Sequence, residues 1–218
     1  MAALFILLSG VSVAAARPVN RAPAGNGTKR IALTFDDGPH PRYTPVILDI
    51  LKEYGIHATF FVIGQNADLY PAPLKRAVRE GHEIGNHTYS HPHMKRISAQ
   101  EARVEIDKCQ KKIQELTGKT PTLFRPPEGF CTNEESEVLE ELHLTGILWT
   151  IDTHDWAGND SNNICATVNR LAGDGKIILF HDYISHKNTT ITALRQLIPS
   201  LLREGYEFCT VSELFSPA

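Results

Sequence analysis

The chain reads as an α/β protein built on a parallel sheet, and three observations predict it. From Arg30 onward, short apolar runs alternate with amphipathic segments. Four of those segments are followed by glycines, Gly55, Gly81, Gly118 and Gly205, placed as helix C-caps. The unusual polar residues cluster directly after the apolar runs. Strands are expected at 31–35, 58–63, 83–85, 122–124, 146–151, 176–180 and 208–211. Helices are expected between them at 43–54, 67–80, 98–116, 133–142, 162–171 and 190–204. Ser98 and Glu101 have the spacing of a capping box at the start of one of these helices. Repeated βα units give either a closed barrel or an open, doubly wound sheet, and periodicity does not choose between them. No internal repeat or second composition regime interrupts the pattern, so a single domain is expected.

The 218 residues are 42% hydrophobic and 22% charged, a balance that excludes disordered, collagenous and coiled-coil architectures. Lys plus Arg number 22 against 25 Asp plus Glu, a net charge of −3. That leaves no basic footprint, and no nucleic-acid partner is expected. A chain of this size buries a core without metal or disulfide staples, so a metal here would serve chemistry.

Residues 4–16 (LFILLSGVSVAAA) are apolar and end in small residues that suit signal cleavage. The stretch is shorter than the roughly 20 apolar residues a membrane span needs. No Lys or Arg precedes Ala16, so the basic start of a signal peptide is missing. Residues 1–16 are read as a signal peptide or N-terminal anchor, and the protein as secreted or held at the wall or membrane. Residues 17–28, rich in Pro, Gly and Asn, are read as a linker, and 29–214 as the domain. Cys109, Cys131, Cys165 and Cys209 match no zinc-ribbon spacing; disulfides and free thiols both stay open. Asn26, Asn86 and Asn188 carry the Asn-x-Ser/Thr pattern.

Function lies in the polar clusters. Asp36-Asp37-Gly38-Pro39 follows the first strand, and His87 to His91 the third. Arg125-Pro126-Pro127 follows the fourth, Asp152 to Trp156 the fifth, and His181-Asp182 the sixth. In parallel α/β folds the carboxyl ends of the strands share one face, so these clusters should converge on one cleft.

His87 and His91 are four residues apart, which on a helical turn puts both imidazoles on one side, as ligands of one tetrahedral ion require. Asp36 or Asp37 supplies a third ligand and leaves a position open to water. The other aspartate then stands free as general base toward a water acidified by the ion. Spacing does not say which aspartate takes which role. Arg125, aimed by the prolines after it, can pair with the free aspartate and orient it. His181 ends the run 177–180 and should point into the same mouth. There its imidazolium could protonate a leaving amine, with Asp155 raising its pKa. Trp156 and Leu179 would form apolar walls, the Trp suited to stack on a sugar ring. His40, His57, His82, His93, His143 and His186 are set aside as solvated or locally satisfied, and His154 is unassigned.

Taken in order, Thr34-Phe35-Asp36-Asp37-Gly38-Pro39, His87-Thr-Tyr-Ser-His91, Arg125-Pro-Pro, Asp155-Trp156 and Leu179-Phe180-His181 resemble the polysaccharide deacetylases, the NodB homology domain of carbohydrate esterase family 4. The resemblance covers about residues 29 to 214. It implies a distorted (β/α) barrel of about seven parallel strands that removes N- or O-acetyl groups from polysaccharides. It also implies Asp36 as general base, and Asp37, His87 and His91 as ligands of a divalent ion. That ion is expected to be zinc, with cobalt, nickel, manganese or iron as alternatives. The resemblance further implies Arg125 positioning Asp36, His181 as general acid, Asp155 tuning His181, and Trp156 with Leu179 around the acetyl methyl. One position departs from the family: Glu128 stands where many members carry an aromatic residue. Family chemistry uses the backbone N–H there to hold the oxyanion, so the side chain bears on the substrate groove.

The expected activity is removal of N-acetyl groups from amino sugars of a polysaccharide, peptidoglycan first and chitin-like oligomers second. The chain is expected to act as a monomer without a protein partner. Two alternatives are an O-acetyl xylan esterase or cyclic-amide hydrolase on the same scaffold, and a catalytically silent carbohydrate-binding wall protein.

Overall fold

The side chains of strand β1 (Lys29–Asp36) alternate between two environments, as a pleated strand requires. Ile31, Leu33 and Phe35 enter the large core beneath the helices, while Ala32 enters a second apolar cluster inside the curl of the sheet. Thr34 and Asp36 share the inner face with Ala32. The computed structural model describes residues 18–22, 27–184 and 189–216.

After β1 come α1 (Tyr43–Glu53), β2 (Thr59–Val62), α2 (Gly64–Leu69), α3 (Pro71–Arg79) and β3 (Glu83–Asn86). Then follow α4 (Ala99–Thr117), β4 (Leu123–Phe124), α5 (Asn133–Glu141), β5 (Thr145–Gly146) and β6 (Ile151–Asp152). The chain finishes with α6 (Ser161–Leu171), β7 (Lys176–His181), α7 (Thr190–Arg203), β8 (Tyr206–Phe208) and α8 (Val211–Phe215). Among the described residues the sheet has eight strands in the order β5-β4-β3-β2-β1-β7-β6, with β8 also on β1. Every pairing is parallel. β7 holds one edge of β1 from Ile31 to Asp36, so β8 takes the other edge at Lys29–Ile31, below β2. The sheet curls into a distorted (β/α) barrel, as expected.

The capping box is present: Ser98 Oγ accepts from Glu101 N at 3.3 Å and Glu101 Oε2 accepts from Ser98 N at 2.7 Å. Four elements differ from expectation. The helix expected at 67–80 is two helices, because Pro71 cannot continue the ladder and forces Tyr70 out of helical geometry (φ −132°, ψ 62°). The strand expected at 208–211 lies at Tyr206–Phe208, and Thr210 then caps α8 through a second box with Glu213. The expected strand at 122–124 pairs only over Leu123–Phe124. The run expected as one strand at 146–151 is split into β5 and β6, which lie at opposite ends of the sheet order. Residues 147–150 cross the seam between them. Ile147 N–H bonds Phe124 O on the β4 side (2.8 Å), and Thr150 N–H bonds Ile177 O on the β7 side (3.0 Å). An apolar run reports burial, not which neighbour each amide finds.

The leader at 1–16 lies outside the described residues, as do His186, Asn26 and Asn188. Within the stretch read as a linker, residues 18–22 are docked on the barrel: Val19 bridges Ile147, Arg21 bridges Lys176, and Ala22 is buried. Asn86 is also buried, and its amide donates to Ile106 O and Gln110 Oε1. All four cysteines are free. Burial pushes the Cys109 thiol up to about 12 and that of Cys209 to about 11, which leaves both unreactive. No helix among the described residues is long and apolar enough to cross a membrane.

Candidate metal centre and active site

Asp36 and His181 are register partners at the carboxyl ends of neighbouring strands, so both side chains turn into the barrel mouth. The backbone then enters a left-handed turn at Asp37 (φ 74°), and this swings the second carboxylate into the same space. Gly38 is required here on steric grounds. A Cβ would fall 2.2 Å from the carboxylate of Asp182, which is buried beneath the turn. Thr44 Oγ1 donates to that carboxylate and itself accepts from His40 N at 2.7 Å. Burial and the charges of Asp37 and Asp36 push Asp182 up to about 7, against the Thr44 hydrogen bond. Asp182 therefore shapes the turn from behind.

His87 follows β3. Its Nδ1 donates to the carbonyl of Arg125 at 2.7 Å, which leaves the lone pair of Nε2 facing the mouth. The segment from His87 to His91 is a bend, not the helical turn expected. Thr88 and His91 are left-handed (φ 66° and 55°), and Glu105 Oε2 accepts the amides of Tyr89 (3.1 Å) and Ser90 (2.7 Å). The bend still brings the imidazole rings to 5.0 Å. His87 Nε2 lies 3.4 Å and His91 Nε2 3.5 Å from Asp37 Oδ1, a buried oxygen with no hydrogen-bond donor. The three donors fall within 4.8 Å of one another. Burial works against charge on Asp37, but the adjacent His87 imidazole, with help from His181 and His91, holds its carboxyl below the usual range. Burial also opposes charge on His87, and Asp36 and Asp37 overcome it. His91 is lowered by burial and by His87.

Arg125 is fully buried, a cost that its hydrogen bonds offset. Nη1 donates to Asp36 Oδ1 and Thr34 Oγ1, both at 2.7 Å. Nε and Nη2 donate to the carbonyls of Ile147 and Leu148, both at 3.2 Å. The guanidinium lies 4.1 Å over the Phe61 ring. Phe61 fits because Gly85 has no Cβ, which would stand 2.4 Å from Phe61 Cδ1.

His181 Nδ1 bonds Asp155 Oδ1 at 2.8 Å. Asp155 also accepts from His181 N (2.8 Å), Trp156 N (2.9 Å) and Thr190 Oγ1 (2.6 Å). Burial disfavours the imidazolium, but the Asp155 hydrogen bond and charge, with Asp36 and Asp37, raise His181 to about 9. At neutral pH it holds a proton on Nε2.

Asp36, Asp37, His87, His91, Glu128, Trp156, Leu179 and His181 line one cavity of about 480 Å³. Arg125 and Asp155 stand behind it. Trp156 is 53% exposed at the rim, while Leu179 is buried. Glu128, left-handed at φ 59°, pairs at 2.5 Å with His93, a histidine set aside in the sequence. Sequence reasoning missed Trp149 and Asp152 in the lining. Trp149 lies in the seam-crossing segment, above Gly129, where a Cβ would approach its ring to 2.8 Å. Asp152 Oδ1 accepts from Trp156 Nε1 at 3.4 Å and from His154 N at 2.8 Å. Asp152 stands at the start of the Asp152–Trp156 cluster, the one signal that pointed to it.

A family model described as polysaccharide deacetylase matches residues 24–147. The chain belongs to the polysaccharide deacetylase family. Among similar polysaccharide deacetylases is peptidoglycan-N-acetylmuramic acid deacetylase PdaC of Bacillus subtilis. It is 42% identical over 186 residues, which are 85% of this chain and 38% of PdaC. The solved PdaC structure superposes with a TM-score of 0.79 over 86% of this chain and 90% of the PdaC chain. The Bc1960 peptidoglycan N-acetylglucosamine deacetylase gives 0.87 at 35% identity, over 91% of this chain and 92% of that one. BA3943 of Bacillus anthracis, described as a pseudoenzyme, gives 0.85 at 31% identity, over 92% of this chain and 69% of that one. Family members are metal-dependent, and the Asp37, His87 and His91 donors fit that property. The fold is thus shared by active and silent relatives, and side chains must separate the two.

Proposed function

We propose that the chain removes N-acetyl groups from amino sugars of a polysaccharide, with peptidoglycan the first substrate and chitin-like oligomers the second. One observation carries this reading. A buried, donor-free carboxylate oxygen of Asp37 faces two imidazole nitrogens, and the Asp36–Arg125 and His181–Asp155 pairs open into the same cavity. Two imidazoles and a carboxylate suit zinc, and also cobalt, nickel, manganese or iron. When bound by Asp37, His87 and His91, such an ion would acidify a water and polarise the acetamide carbonyl.

The rest is done by the chain. Asp36, fixed by Arg125, takes the proton of the attacking water. His181, charged by Asp155, delivers the Nε2 proton to the departing amine, without which amide cleavage stalls. Trp156 and Leu179 exclude water around the acetyl methyl. Glu128 carries a carboxylate at the rim, paired with His93, at the position where the family resemblance puts the oxyanion amide. The chain acts as an exported monomer in this reading.

The test is release of free primary amine from peptidoglycan and from chitin oligomers, with metal analysis of the same preparation. Amine release that tracks metal content supports the reading. Acetate released from acetylated xylan without any amine would favour the esterase alternative. No release of either, with the metal present, would favour a silent binding protein.

A further inference from the structure

Arg125 does not hold its position through β4 alone. Two of its hydrogen bonds end on the carbonyls of Ile147 and Leu148, in the segment that crosses the seam of the barrel. β5 and β6 flank that seam without pairing to one another. The segment is held from outside instead. Val19 N–H donates to Gly146 O at 2.9 Å, and Leu148 N–H donates to Val19 O at 2.7 Å. Ala22 N–H donates to Gly175 O at 3.1 Å, and Arg21 Nη2 to Asp174 O at 3.2 Å, beside β7. Ala22 is packed with Ile147 in the inner cluster. Pro18 lies so close to Gly146 that a Cβ there would meet it at 3.0 Å.

We propose that residues 18–22 form a strap that closes the seam and acts as a positioning element for catalysis, by holding the 147–148 carbonyls that hold Arg125 against Asp36. The chain of contacts is continuous: strap, seam carbonyls, guanidinium, carboxylate. Val19 meets the seam through main-chain hydrogen bonds, Arg125 meets it through buried and half-buried ones, and Val19's own side chain is 37% exposed. The strap therefore works through its backbone. Val19→Pro removes one donor to Gly146 and is expected to loosen the seam, whereas Val19→Ala keeps both main-chain bonds. Misplacement of a catalytic group by a fraction of an ångström to one ångström lowers turnover by about ten- to a hundredfold.

The proposal rests on the deacetylase reading for its activity measurement, so it is tested by two readouts. In the full-length protein, Val19→Pro should lower kcat for amine release about tenfold with KM within about twofold of wild type, while Val19→Ala keeps the wild-type kcat. By NMR on arginine-labelled protein, solvent exchange of the Arg125 Nε–H should be at least about tenfold faster in Val19→Pro than in wild type or Val19→Ala, whatever the activity. If Val19→Pro does not fold, Gly146→Ala pushes on Pro18 from the other side and should give the same two effects. An unchanged Arg125 exchange rate in the folded variant overturns the proposal, as does Val19→Ala losing as much turnover as Val19→Pro. A wild-type protein that releases no amine, yet shows the exchange difference, sinks the deacetylase reading and leaves the strap intact.

Discussion

Two histidine pairs lie at opposite ends of one sheet. His87 and His91 stand at the carboxyl ends of the strands with ring centres 5.0 Å apart; His57 and His82 stand at the amino ends, 5.7 Å apart. Their ring spacings are close, but their chemistry is opposite. His82 Nδ1 accepts the amide of Ala58 at 3.2 Å, so that lone pair is consumed by structure. Its neighbour Glu80 pairs through Oε1 with Arg76 at 2.9 Å, and among the described residues no carboxylate joins these two histidines in a metal-sized donor group. Burial and the nearby His57 push His82 down to about 4. At the other end a backbone carbonyl takes the far nitrogen of His87, and two aspartates face the near one. What sets the candidate metal site apart is thus the partner of the second ring nitrogen and a carboxylate in reach, not the nearness of two imidazoles.

The largest expected effect breaks the carboxyl-end site while sparing its ligands. Asp36→Asn should lower kcat by about 10²–10⁴ with metal content unchanged; a wild-type rate would remove Asp36 as the base. Next, zinc titration should separate the two pairs directly. Added at about a hundred times its Kd, zinc should stabilise the wild type by about 2.7 kcal/mol. That gain should vanish in His91→Ala and persist in His82→Ala, as read by thermal melts with and without chelator. Loss of the zinc effect in both variants would mean that the pairs are not distinct.

A smaller effect concerns the proton on His181. The acid form is the working one, so activity falls as pH rises through its pKa, which Asp155 helps lift to about 9. Asp155→Asn should move that alkaline limb toward the ordinary histidine value of about 6.5 and lower kcat at pH 8 by about ten- to a hundredfold. A limb that stays in place would detach Asp155 from this role. The smallest effect lies at the amino end. Folded His82 titrates near 4, while the unfolded side chain titrates near 6.5, so its contribution is complete above pH 6.5 and is lost as pH falls toward 4. His82→Gln should therefore lose about 1–3 kcal/mol less than wild type between pH 7 and pH 4 in urea unfolding. Equal losses would show that His82 is not the proton acceptor.

Much of the site was legible because chemistry restricts residue type. Carboxylates, imidazoles and an arginine placed just after apolar runs have few purely structural roles once parallel strands put those positions on one face. Trp149 was not legible: it sits inside an apolar run whose split across the seam depends on distant partners, Phe124 and Ile177. The docking of Val19 escaped for a related reason. A short stretch rich in Pro and Gly reads as a linker unless its amides are known to have acceptors, and those acceptors are more than a hundred residues away.

The order of residue types along the chain was enough to determine the α/β class, the parallel strands and the set of groups that meet at their carboxyl ends, because periodicity and helix capping are local. Only the tertiary structure decided which partners the neighbouring aspartates meet. Adjacent residues of a strand point to opposite faces, so Asp36 and Asp37 reach one cavity only because the backbone turns left-handed after β1. That turn gives Asp36 to Arg125 and Asp37 to the imidazoles, and the partners come from three separate strand ends that no local pattern connects.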